Sequence, residues 1–360
     1  MSSAFDKTPG VSSLANLLSG QNNVSGLPAP TLLGSGLVQP LSPFPFCQPI
    51  PGAQLLGLVK QEPTPMWVYV RRRFTQLLGN LNITVGQRQD GDTKQGGVRA
   101  CLNRHYWNEQ SITAHSFLIG SWGKRTQVRP SRDVDILFLL PNEVYHQYQA
   151  RQGNRQSQLL QEVRGVLAVT YPATTMRADG QVIVIPFNQT PVELSPGFLC
   201  ADGSSIIVCD AHDEGSYKLS TAIAEAQELE AHDKKWNGNV RALARMMKRW
   251  QKERNVPLKS FQLERLAIEF LSQWPNSHHD VFWYDWMVRD FLAFLIGRTN
   301  TWIVMPGTGE QVWLGNDWLS RARTAYGFAI SACDNERDNY ETLAGRDWQE
   351  LFGAAVNISV

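Results

Sequence analysis

The chain has almost no net charge, because 34 Lys and Arg are offset by 33 Asp and Glu, leaving +1 over 360 residues. That excludes a whole-protein field able to draw in nucleic acid or an anionic membrane, so any basic surface must be local. Cysteine is scarce: Cys47, Cys101, Cys200, Cys209 and Cys333 are odd in number, scattered, and never at Cys-x-x-Cys spacing. This argues against a disulfide framework, a zinc knuckle or a dithiol redox motif, and favours a reducing cytosol. No apolar run approaches the ~18 to 20 residues that a membrane helix needs. The first residues also lack a basic stretch followed by an apolar one, as a secretory signal would have. The expected location is cytoplasmic, with no membrane partner. No internal repeat is visible.

What is present is a globular composition, 42% hydrophobic and 19% charged, long enough for two lobes. Residues 1–62, rich in Ser, Gly, Pro, Asn and Leu, read as a disordered leader. Alternatively, Met66 is the true start. A first helix is predicted from Thr64-Pro65 through Trp67, Val70, Phe74, Leu77 and Leu78. Residues 86–97 read as a polar, turn-rich loop, and 98–107 as a helix. A short strand at 115–119 leads to a Gly-Ser turn, followed by an apolar strand. A helix at 142–167 comes next, then strands at 181–186 and 191–194. From Ser220 onward the chain is predominantly helical, with its clearest pieces at 222–232, 239–254, 260–274 and 285–298. The pattern predicts a mixed sheet with an appended helical lobe: a core over 63–209 and a helical lobe over 210–360.

The informative segment is 120–140. Gly120-Ser121 opens a short stretch whose backbone N–H groups and hydroxyl suit a phosphate, and Lys124 and Arg125 follow. Asp133 and Asp135 then stand at the mouth of the apolar run Val134 to Leu140. Side chains two apart on a strand share a face, so the two carboxylates converge. Mg²⁺ favours such hard oxygen ligands together with substrate phosphates. A third carboxylate is expected from a neighbouring strand, and Glu193, inside a short apolar strand, is the best placed. Its bland alternative is an edge-strand Glu facing water. Gly-Ser alone is an ordinary turn dipeptide; the combination with Asp-x-Asp is what carries weight.

Gly-Ser, a short helix and Asp-x-Asp on a strand resemble the signature of the Polβ-like nucleotidyltransferases, an α+β fold. Downstream, residues 215–225, 237–250 and 259–266 are similar to the bacterial CD-NTases, relatives of cyclic GMP-AMP synthase and oligoadenylate synthetase. The resemblance covers the chain from about residue 65 to its end. It implies a bilobal enzyme in which Asp133, Asp135 and Glu193 are catalytic and bind two Mg²⁺, with Mn²⁺ as an alternative. It also implies that Gly120, Ser121, Lys248 and Ser260 hold phosphates while Phe261 stacks on a base. Two residues depart from the family pattern. Glu193 replaces the usual Asp, one methylene longer, and Phe261 replaces the usual Tyr, keeping the ring but not the hydroxyl. For Lys248 the competing expectation is a solvated helix cation beside Arg245, Arg249 and Lys252; for Phe261 it is core packing.

The implied activity is template-independent joining of NTPs (ATP, with GTP or a pyrimidine NTP as further candidates) into a cyclic di- or trinucleotide. In anti-phage CBASS signalling such a diffusible product reaches an effector protein. With no Cys/His zinc insertion, activation by DNA is not expected. The rivals are a linear 2′-5′ oligoadenylate synthetase, an RNA-end nucleotidyltransferase and a catalytically inactive nucleotide-binding module. His278-His279 are expected to cap a loop or face solvent, and the aromatic run 281–286 to be lobe core.

Overall fold

The computed structural model describes residues 66–130 and 133–360. The expected leader and the Thr64-Pro65 helix start lie outside the described residues. In chain order the elements are α1 (Val70–Leu81), α2 (Val85–Tyr106), β1 (Ser116–Leu118), α3 (Gly120–Lys124), β2 (Val134–Leu139), α4 (Asn142–Gln149) and α5 (Arg155–Thr170). Then come β3 (Arg177–Asp179), β4 (Val182–Ile185), β5 (Val192–Leu199), β6 (Ile206–Asp210) and β7 (Ser216–Leu219). The helical part comprises α6 (Ala222–Lys235), α7 (Asn239–Glu253), α8 (Ser260–Gln273), α9 (Tyr284–Gly297), the β8–β9 hairpin (Trp302–Val304, Gln311–Trp313), α10 (Leu319–Arg337) and α11 (Glu341–Phe352).

The sheet is mixed, as its order β1-β2-β5-β4-β3 with β6 and β7 off β5 shows. β2 and β5 run parallel at its centre, and the other pairings are antiparallel. One edge of β5 pairs with β2 from Val192 to Gly197, while the other is shared: Val192 to Leu194 pair with β4 and Gly197 to Leu199 with β6. Pro196 sits at the hand-over between β4 and β6, where a missing N–H is tolerated. β2 is apolar almost without alternation because both faces are covered. Val134, Ile136 and Phe138 pack with α2 and α5 residues such as Leu102 and Val163, while Leu137 and Leu139 meet Ile206 and Val208 on the other face.

Several elements depart from expectation. Residues 86–97 are helix, not loop. Thr84 and Gln87 form a reciprocal capping box that starts α2. The glycines that make the stretch look turn-like instead admit close neighbours: a Cβ on Gly91 would lie 2.4 Å from the Trp122 ring, and one on Gly97 2.7 Å from the Tyr171 hydroxyl. The expected helix over 142–167 is two helices, with Asn154 capping the second through Ser157 N–H. The boundary at 209/210 is crossed both ways. β7 belongs to the sheet, and α1 buries Val70, Phe74, Leu77 and Leu81 in the helical core beside Trp250, Phe291 and Trp348. Of the 281–286 aromatics, Trp283, Tyr284 and Trp286 pack on that same core, as expected.

Arg73 locks α1 in place. It is 1% exposed, its Nε donates to Glu336 Oε1 at 2.6 Å, and its other nitrogens donate to the carbonyls of Asn357, Ile358 and Glu341. Removing the cation alone would strand the fully buried Glu336 carboxylate. Arg73→Met should therefore cost about 3–5 kcal/mol and lower the melting temperature by roughly 10 °C. A melting curve superimposable on that of the parent protein would refute this role.

Candidate active site

The site begins where β1 runs into α3. Ile119 is extended, its N–H donating to the Asp135 carbonyl at 2.9 Å, and Gly120 follows at φ +55°. A Cβ on Gly120 would lie 1.9 Å from Asp135 Oδ2, so both backbone conformation and space demand glycine. One helical turn later Arg125 ends α3 in the left-handed region, and Thr126 N–H returns to Ser121 O at 2.9 Å. Trp122 plugs the core under α2, while Lys124 turns the opposite way toward the helical lobe.

Asp133 immediately precedes β2, Asp135 lies within it, and Glu193 is Asp135's register partner on parallel β5. One carboxylate oxygen from each of the three lies within 4.8 Å of the others. Among the described residues no other group of three potential ligands converges in this way. Burial, then the neighbouring charges of Asp133 and Glu193, push the Asp135 carboxyl up to about 7. Burial, the Asp133 charge and a hydrogen bond to Asp133 raise Glu193 as well. Three crowded carboxylates are relieved either by protons or by cations, and this all-oxygen donor set fits a hard divalent ion.

Facing the carboxylates across a cleft of about 320 Å³ is the helical lobe. The sheet side contributes Gly120, Ser121, Lys124, Asp133 and Asp135, and the lobe contributes Lys248, Ser260, Phe261 and Glu264. The structure thus gathers the residues predicted from the sequence into one cleft, with Glu193 joining through the carboxylate cluster rather than the lining. Lys248 is not a solvated helix cation. It is 6% exposed, and its Nζ contacts Glu264 and donates to Thr126 Oγ1 at 2.7 Å. Phe261 is half-buried, packing against the lobe core and lining the cleft. Ser260 is exposed at the start of α8, its hydroxyl 3.4 Å from Gln251 Oε1. His279 stacks on Trp283 and takes no part.

Sequence reasoning missed the partners of the lysines. Lys124 Nζ lies 2.8 Å from Glu225 Oε2 and 2.5 Å from Glu264 Oε2. The neighbouring lysines hold Glu264 below the usual carboxylate range even though its burial opposes this. A signal existed: Glu264 is a charged residue on the apolar face of α8, flanked by the buried Leu263, Leu266 and Ala267.

With this geometry in view, comparisons place the chain. The sheet, the helical lobe and the carboxylate cleft define a Polβ-like nucleotidyltransferase fold. Residues 68–232 match the family described as Second Messenger Oligonucleotide or Dinucleotide Synthetase domain, SMODS. Over that segment, somewhat less than half of its length, the chain is similar to this family. A cyclic AMP-AMP-AMP synthase from Acinetobacter sp. is 22% identical over 227 residues, 59% of this chain and 62% of the relative's length. Vibrio cholerae DncV, a cyclic AMP-GMP synthase crystallised with a linear intermediate, superposes with TM-score 0.61 at 12% identity, over 82% of this chain and 97% of that one. CdnC of an E. coli strain, solved with ATP, gives 0.56 at 15% identity, over 80% and 98%. At these identities the solved structures establish the fold.

Two outcomes follow. Gly120→Ala should displace the Asp135 carboxylate and weaken Mn²⁺ binding, read by electron paramagnetic resonance, while wild-type affinity would remove the steric argument. For Asp135 the folded-state value is raised above the unfolded one. Its contribution to stability is therefore present in acid and is lost as pH climbs from about 4 through about 7. In chelator at pH 8, Asp135→Asn should melt a few degrees above the parent, with the gap closing toward pH 5. A gap independent of pH would contradict it.

Proposed function

We propose that the protein is a template-independent nucleotidyltransferase that joins NTPs into a cyclic di- or trinucleotide second messenger. The observation that carries this is the pairing, in one cleft, of a three-carboxylate cluster with a wall of buried lysines. Asp133, Asp135 and Glu193 would hold two Mg²⁺. When bound, such ions neutralise charge on the transferring phosphoryl group and its leaving pyrophosphate. Glu193, whose proton affinity is raised by burial and by Asp133, would take the proton from the attacking ribose hydroxyl. Ser121 and Ser260 hydroxyls and the Lys124 and Lys248 ammonium groups bind the triphosphate, and the exposed side of the Phe261 ring stacks on the donor base. The work done by these side chains is positioning and charge neutralisation in the cleft.

ATP is the first substrate to test, since the Acinetobacter relative is a cyclic AMP-AMP-AMP synthase and the CdnC structure holds ATP. The diffusible product would act on an effector protein in CBASS-type antiviral defence in the cytoplasm. Purified protein incubated with Mg²⁺ and all four labelled NTPs, then treated with phosphatase, should leave a resistant product that is absent with Asp135→Ala. Products wholly sensitive to phosphatase would favour linear oligonucleotide synthesis. No pyrophosphate release from any NTP would leave a nucleotide-binding module.

A further inference from the structure

An acidic side chain in a phosphate-binding wall calls for a physical reason, because it repels the ligand it faces. Glu264 lines the cleft, yet it lies outside the Asp133–Asp135–Glu193 cluster and is 4% exposed. Its two oxygens are divided between two cations that come from different parts of the fold. Oε2 sits 2.5 Å from Nζ of Lys124, on α3 beside the sheet, and Oε1 contacts Nζ of Lys248, on α7 in the helical lobe. Thr126, two residues past Lys124, donates its hydroxyl to the same Oε1 and accepts from Lys248 at 2.7 Å. This one carboxylate therefore spans the seam between the lobes.

We propose that Glu264 is a positioning residue that holds Lys124 and Lys248 together, charged and at fixed separation, as a clamp for the triphosphate of the donor nucleotide. The inference rests on the nucleotidyltransferase reading and adds to it the part that arranges the cations. Both lysines are almost wholly buried, at 7% and 6% side-chain exposure, and a desolvated ammonium without a counter-charge sheds its proton. Burial is the largest influence on Lys248 and pulls its proton affinity down, with Glu264 the chief opposing influence. Glu264 and Glu225 balance the two ammoniums in number, so what Glu264 fixes is where the two positive charges sit. Lys124 has a second anchor in Glu225, at 2.8 Å, itself braced by Thr221. Lys248 leans on Glu264 and Thr126. The larger consequence of losing Glu264 should therefore fall on Lys248.

The test is a double-variant cycle read in binding and in turnover. Glu264→Gln keeps shape and can still hydrogen-bond Thr126 while removing the charge. Its affinity for ATP with Mg²⁺, by titration calorimetry, should fall about tenfold, as expected for losing one charge-assisted contact. KM for ATP in pyrophosphate release should rise in step, with kcat changed less than about threefold. Added to Lys248→Met, the same substitution should weaken binding by less than about threefold, because the group through which it mainly acts is gone. Wild-type ATP affinity in Glu264→Gln, or an undiminished tenfold effect in the Lys248→Met background, overturns the proposal. So does a parent protein that does not bind ATP. If Glu264→Gln melts too low to assay, Glu264→Asp, which keeps the charge but shortens its reach, is held to the same criteria. Parent turnover with a normal Glu264→Gln sinks the clamp and spares the enzyme. ATP binding that Glu264→Gln weakens, without pyrophosphate release by the parent, does the reverse.

Discussion

Carboxylates of Asp133, Asp135 and Glu193 stand within 4.8 Å of one another at the ends of two parallel strands, and the rest of the fold exists to hold that repulsive arrangement still. Left to itself the cluster would spread or take up protons, and burial together with the charges of Asp133 and Glu193 raises the proton affinity of Asp135. The confinement comes from β2 and β5, which pair over their whole overlap and are packed by apolar residues on both faces, so neither strand can shift without breaking core contacts on both sides. Gly120 completes it by letting the backbone of the preceding turn lie directly against Asp135.

The second constraint is the seam between lobes. Arg241 on α7 donates to the Lys124 carbonyl at 2.8 Å, and the Glu264 cluster spans the same gap. Anionic and cationic walls of the cleft are therefore supplied by different lobes, apart from Lys124, and their separation is set by these buried polar contacts. The outer side of the helical lobe is braced by α1 through Arg73 and Glu336, so the earliest described helix supports the later half of the chain.

Much of the site was legible as local chemistry. Gly120-Ser121 with Asp133 and Asp135 announced itself by spacing, since alternation on a strand requires two residues two apart to share a face. Lys248, Ser260 and Phe261 were found only through resemblance, because nothing in their neighbourhood separates a ligand-binding lysine from the basic residues around it. Glu264 escaped notice because a charge among the apolar positions of a helix does not by itself say which distant cations it meets. The glycines of α2 misled for a related reason: Gly91 and Gly97 look like turn residues, but they serve neighbours, Trp122 and Tyr171, that are distant in sequence.

By itself the sequence determined the α+β class, the helices of the second half through their apolar period, and the two aspartates, all of which depend on interactions within a few residues. Only the tertiary structure decided that Glu193 pairs in register with Asp135, that α1 belongs to the lobe and β7 to the sheet, and that Lys124, Lys248 and Glu264 form one buried charge group. Those outcomes depend on which distant surfaces meet and on how much water they exclude, and the strength of a charge contact follows from that exclusion rather than from spacing along the chain.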